Sequence, residues 1–241
     1  MLWYFRILIF YTIISIFSLA FFLFICLPVH YLINASYDFR YKCSVFYSYV
    51  YIYLLWFIVG IKYEVEGIEN LPPDTPYIVL SNHQSFWENF FMQLIIPKHS
   101  WIVKKELFNI PVFGWFFKMI NPIAVDRSDK YSIIKITAEG KKRLANDISL
   151  IIFPEGTRIK PDREVKFKVG LSKLVIEAKK PVVLMVLNSG VFWPKGILFK
   201  QPGTIKVKIF EVIPPQSLEK FEPREFASHI QEKINHEKKV I

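Results

Sequence analysis

Charge is what the first quarter of this chain lacks. Residues 7–37 contain no Lys, Arg, Asp or Glu, and neither do residues 43–61. Soluble domains seldom carry uncharged runs of that length, so this end belongs in or on a bilayer. Cysteine is nearly absent too. Cys26 and Cys43 both lie in the uncharged region without a metal-ligand companion, which excludes a disulfide scaffold and leaves them as inert small hydrophobes. Residues 62–241 have no Cys and no G-x-S-x-G elbow, which disfavours a thiol or hydrolase-type serine nucleophile. No Asp/His cluster has metal spacing, so no metal is expected. With no basic helix, zinc motif or aromatic-interleaved sheet pattern, nucleic acid is not an expected partner. There is no repeat and no low-complexity segment.

What is present is apolar and basic. The 241 residues are 52% hydrophobic and 17% aromatic, including 23 Phe, with a formal net charge of +10. Residues 1–61 hold only Arg6, Arg40 and Lys42 against Asp38, so most of the positive charge belongs to the remainder. A basic body tethered to a membrane is drawn to anionic headgroups, and the same field draws an acidic substrate. Length suits one domain plus an appendage. Residues 2–27 are long enough to span and end at Pro28, with Trp3 and Tyr4 suited to the interface. They are too long for a secretory signal and lack a cleavage site, so they are expected to be retained. Residues 29–42 read as a connector. Residues 44–61 are a second apolar segment, marginal for spanning and equally suited to lying among headgroups. The expected division is a membrane-binding helical pair over 1–61 and an α/β domain over 62–241.

Within that domain the pattern predicts strands near 62–67, 77–80, 101–105, 122–125, 149–153, 182–187 and 205–212. Helices are predicted at 86–96, 112–120, 130–145, 170–179 and 223–239, and the loop 188–203 flanks the site. Strands alternating with helices of this length give an α/β fold with a mixed, mostly parallel sheet flanked by helices.

Residues 77–91, YIVLSNHQSFWENFF, run from an apolar strand into a polar turn and an aromatic helix. His83 and Glu88 then lie about one helical turn apart. A carboxylate that fixes an imidazole's tautomer makes it a general base; a His that merely caps a turn is the competing reading. Two further strands end alike, Val125 into Asp126–Arg127 and Phe153 into Glu155–Arg158. In an open α/β sheet such ends gather at one ligand-binding rim. Arginine forks and free N–H groups beside a glycine suit a phosphate, making Arg127, Arg158, Gly156 and Thr157 candidates with Lys104 and Lys168 behind them. Lys105 stands with these lysines, although for it, as for Lys141 and Lys142, a solvated face is the competing reading. Glu155 is either a second acid or an anchor for an arginine.

The segments Asn82-His83-Gln84-Ser85-Phe86-Trp87-Glu88 and Phe153-Pro154-Glu155-Gly156-Thr157-Arg158 together resemble the glycerophospholipid acyltransferase family, in particular its bacterial 1-acylglycerol-3-phosphate acyltransferases. The likeness covers about 62–212. The family's first motif is His, four residues, then Asp; Glu at 88 resembles a subgroup reading HQSxWE. Residues 123–127 are similar to the family's phosphate block, and 181–187 match its fourth block only loosely. The resemblance implies acyl transfer without a covalent acyl-enzyme. His83, oriented by Glu88, takes the proton of the sn-2 hydroxyl of lysophosphatidic acid as it attacks the thioester of acyl-carrier protein or acyl-CoA. Arg127 and Arg158 hold the glycerol phosphate. The acyl thioester is a co-substrate, and no cofactor is implied. Phe86, Trp87, Phe113, Trp115 and Phe116 are candidate walls of an acyl groove or ordinary core. Glycerol 3-phosphate or another lysolipid is the alternative acceptor; a lipid-phosphate hydrolase and a non-enzymatic membrane protein are the alternatives of other classes. The expected location is a bacterial inner membrane, with the α/β domain on the cytoplasmic face.

Overall fold

The computed structural model describes residues 2–29, 33, 35–110, 113–126, 128–129, 131–196 and 200–241. The charge-free stretch forms α1 (Leu2–Phe21), which runs on through a π-helical turn at Phe22–Cys26. A second helix, α2 (Tyr37–Leu54), continues through Leu55–Val59 and stops at Gly60, whose φ of 83° suits glycine. Both are long and apolar enough to cross a membrane, with mean hydropathy 2.6 over Trp3–Cys26 and 1.4 over Tyr37–Val59. The second helix begins inside the expected connector. Ser36 caps it by accepting the Phe39 N–H at 3.3 Å, and Asp38 in the first turn complements the helix dipole. Arg40 and Lys42 therefore interrupt the apolar run without interrupting the helix.

The remaining elements are β1 (Ile61–Glu66), β2 (Ile78–Ser81), α3 (Trp87–Ile95), β3 (His99–Lys104), α4 (Phe113–Ile120), β4 (Ile123–Val125), α5 (Ser132–Ala145), β5 (Ser149–Ile152), α6 (Val169–Ala178), β6 (Val182–Leu187), α7 (Ser189–Phe192), β7 (Gly203–Ile213) and α8 (Pro223–Lys238). One seven-stranded sheet results, in the order β1-β7-β6-β2-β5-β3-β4. Every neighbouring pair is parallel except β6 with β7, so the fold is the expected mixed, mostly parallel α/β sheet.

Period-2 alternation assigns the strand residues to two cores. Val182, Leu184 and Val186 of β6 join Leu174 of α6 and Phe226 and Ile230 of α8 on one face. Val183, Met185 and Leu187 join Phe91 of α3 on the other, and this second core also contains Phe10 of α1 and Tyr51 and Leu55 of α2. The helical pair thus lies on the sheet's α3 side and shares its core. Polar contacts fix the seam: the Tyr41 hydroxyl pairs with His99 Nδ1 at 2.8 Å and Gln93 Nε2 donates to Ser44 Oγ at 3.2 Å, while within the pair Arg6 Nε donates to the Ile58 carbonyl at 2.6 Å. Complete burial lowers His99 to about 4, so it serves that seam as a neutral ring.

Candidate active site

Strands β6, β2 and β5 are adjacent and parallel, so their C-terminal ends open onto one rim. That adjacency brings together the turns after Ser81, Ile152 and Leu187. The Glu88 carboxylate, in the first turn of α3, is fully buried at their junction. Its Oε2 lies 2.5 Å from His83 Nδ1; its Oε1 accepts the Gln84 N–H at 2.9 Å, the Ser85 N–H at 2.8 Å and the Ser189 hydroxyl at 2.5 Å. A carboxylate only accepts, so this contact assigns the proton to Nδ1 and leaves the Nε2 lone pair for chemistry. The imidazole stacks on Phe153 (4.0 Å, 13°) and remains 16% exposed, enough for one edge to meet a substrate.

The local sequence explains why α3 starts where it does. Ser85 Oγ accepts the Trp87 N–H at 3.1 Å while Glu88 reaches back to the Ser85 N–H. The spacing is that of an S-x-x-E helix start, with the serine oxygen reaching the second amide on rather than the third, so the bonds beside the helix start also seat the His83 partner.

The turn after β5 grips the His83 backbone from both sides. Glu155 Oε2 accepts the His83 N–H at 2.7 Å, and the His83 carbonyl accepts the Ile159 N–H at 2.7 Å. Burial, assisted by the nearby Glu88 charge, raises Glu155 to about 8 against the opposing effects of the His83 amide and Lys238. Glu155 is thus a neutral acid at pH 7 that anchors the His83 main chain. Gly156 has φ 70°, and a Cβ there would fall 2.6 Å from Lys168 Cε, so the Lys168 stem lies over a turn only glycine fits. Thr157 is exposed; Arg158 is half-buried, and its guanidinium has no hydrogen-bond or ion-pair partner among the described residues.

The other predicted residues are more dispersed. Lys104 is exposed at the end of β3. Arg127 lies outside the described residues; the strand before it, β4, is at the sheet edge, three strand spacings or about 14 Å from β2. Lys105 is exposed and approaches Asp126 at 3.8 Å. Trp87 is fully buried and stacks on Phe91 at 4.4 Å, while partly buried Phe86 and Phe116 approach Phe90 and Tyr47 at 5.1 and 5.8 Å. Phe113 and Trp115 lie on α4, their side chains outside the described part. Sequence reasoning did not single out Ser189. Its signal was available, since β6 runs into Asn188-Ser189-Gly190 as the other rim strands run into their polar turns.

A family model described as Acyltransferase matches residues 62–188, which take in the strands from β1 to β6, less Ile61, and the turns after Ser81 and Ile152, and stop at Asn188. The chain belongs to the acyltransferase family. The chain is 41% identical over 159 residues to the 1-acyl-sn-glycerol-3-phosphate acyltransferase of Pseudomonas aeruginosa, covering 66% of this chain and 62% of that protein. It is 34% identical over 191 residues to the enzyme of the same name from Cocos nucifera, covering 78% and 58%. The chain therefore spans about three-fifths of the length of these curated relatives. The crystal structure of the 1-acyl-sn-glycerophosphate acyltransferase from Thermotoga maritima superposes with a TM-score of 0.76 at 25% identity, covering 98% of this chain and 94% of that one. The likeness thus extends through the N-terminal helices.

Proposed function

We propose that this protein moves a long-chain acyl group from an acyl thioester to the sn-2 hydroxyl of 1-acylglycerol 3-phosphate, giving phosphatidic acid. The observation that carries the reading is the buried Glu88 carboxylate committed to His83 Nδ1, with the opposite imidazole edge at the open rim. Nε2 takes the hydroxyl proton as the oxygen attacks the thioester carbonyl. The tetrahedral intermediate expels the thiolate, which takes that proton back, so no acyl-enzyme forms. The relatives' names support the acceptor. Arg158, next to the residue that holds the His83 carbonyl, is assigned to the phosphate, with Arg127, Lys104 and Lys168 supplying a basic surround. Acyl-carrier protein or acyl-CoA is the co-substrate. The apolar helix pair seats the rim at a bacterial inner membrane, on its cytoplasmic face.

The deciding assay gives purified protein lysophosphatidic acid and a long-chain acyl thioester, and measures phosphatidic acid together with free thiol. His83→Ala is expected to reduce turnover by at least about 10²-fold, the range for losing a general base. Folded H83A retaining the full rate overturns the base assignment, and a preference for glycerol 3-phosphate in parallel kinetics overturns the acceptor.

A further inference from the structure

The family resemblance ends its useful blocks at the end of β6, but the hydrogen bonds do not. The turn after β6 docks onto the His83 turn at successive points. Asn82 Nδ2 donates to the Leu187 carbonyl at 2.8 Å and its Oδ1 accepts the Leu187 N–H at 3.0 Å, while Gln84 Oε1 accepts the Gly190 N–H at 3.0 Å. Between those clamps Ser189, fully buried, donates its hydroxyl to Glu88 Oε1. The turn itself is fixed behind Ser189: Asn188 Oδ1 accepts the Lys206 N–H at 2.9 Å, and the Ser189 carbonyl accepts the Trp193 N–H at 2.8 Å.

We propose that Ser189 is a positioning residue of this site, whose hydroxyl holds the Glu88 carboxylate in the orientation that keeps His83 Nε2 aimed at the acceptor hydroxyl. The proposal rests on His83 being the general base. The other two donors to Oε1 are backbone groups of Gln84 and Ser85, on the same turn as His83, and cannot fix that turn against the rest of the sheet. Ser189 can, because it opens α7, the segment that follows the neighbouring strand β6. Its rotor has one use, since a carboxylate offers nothing for it to accept. The other charged group bonded to the His83 turn is Glu155, from the turn after β5, with Lys238 of α8 acting on Glu155. Neither is bonded to Oε1.

The test uses the full chain with lysophosphatidic acid and a long-chain acyl thioester. Ser189→Ala should lower kcat roughly 5- to 30-fold, as expected for a misaligned base, with KM for the lysolipid within about twofold. A carboxylate with fewer donors holds the imidazolium more tightly, so the acid limb of the kcat/KM profile should move to higher pH. Ser189→Cys, of similar shape but a weaker donor, should fall between wild type and S189A. An unchanged S189A overturns the proposal. So does S189C matching wild type while S189A loses rate equally at every pH, because that pattern describes a space-filling side chain. Nuclear magnetic resonance titration of the His83 ring separates this from failure of the functional reading. If wild type does not turn over lysophosphatidic acid, an upward shift of the ring titration in S189A still supports the positioning role, and no shift overturns it.

Discussion

Glu88 meets two structural demands at once, closing the capping pattern of α3 and holding His83 while Ser189 holds it in turn. These contacts give a physical reason for the longer acid at a position where the family motif has Asp. Shortening the side chain by one methylene withdraws the carboxylate by about 1.5 Å, too far to keep His83 Nδ1 and Ser189 together from the same helical turn. Glu88→Asp should therefore lower kcat by roughly 10- to 100-fold with little change in KM, measured by thiol release; an unimpaired E88D removes the argument. Glu155 makes a different prediction. Its folded value near 8 lies above its ordinary 4.5, so the folded state binds the proton more tightly. The resulting stabilisation is complete below pH 4.5 and is lost as pH rises towards 8, an effect on the order of a few kcal/mol. Glu155→Gln keeps an acceptor for the His83 amide but cannot ionise. Its melting temperature should exceed that of wild type by several degrees at pH 9 and converge with it near pH 5. A difference that stays constant across this range would show that Glu155 does not titrate there.

At the scale of elements, most of the α/β body was legible because burial writes itself into period. β6 shows this best: the expected strand and the observed strand both run 182–187, and all six residues are buried. The rim turns were legible for the same reason, each being the place where an apolar strand stops. Strand order was not, since nothing local says that β5 lies beside β2 while β4 lies at the edge. The two arginine-bearing strand ends therefore looked equivalent in sequence, although among the described residues it is the turn after β5 that bonds to His83. The partner from β6 went unassigned because Ser189 is a small polar residue without charge, and its role depends on a neighbour 101 positions away. The early start of α2 was hidden differently: Arg40 and Lys42 end an apolar run, while Ser36 and Asp38 begin a helix.

For the molecule as a whole, the helical pair has two unlike faces. Phe10, Tyr51, Leu55 and Val59 pack inward with Val79, Met185, Ile205 and Val207. Phe39, Phe46, Tyr49, Tyr53 and Phe57 point outward, where only an apolar medium suits so dense an aromatic surface. The inward face is locked from the body side as well. The buried Lys200 ammonium lies over the Tyr11 ring at 4.4 Å and the Trp193 ring at 4.5 Å, joining α1 to the segment before β7. Residues 1–61 and 62–241 therefore share one core across their boundary, and removing the first strips the cover from one face of the sheet. A fragment comprising 62–241 exposes Val79, Met185 and Ile205 to water, and this loss outweighs any gain in solubility from losing the outward aromatics. We expect the full chain in lipid nanodiscs to melt in one cooperative transition, and the fragment in detergent-free buffer to aggregate or melt without cooperativity. A soluble, monomeric fragment with a sharp transition and thiol-releasing activity would mean that the sheet closes its own core and that the helices serve only the membrane.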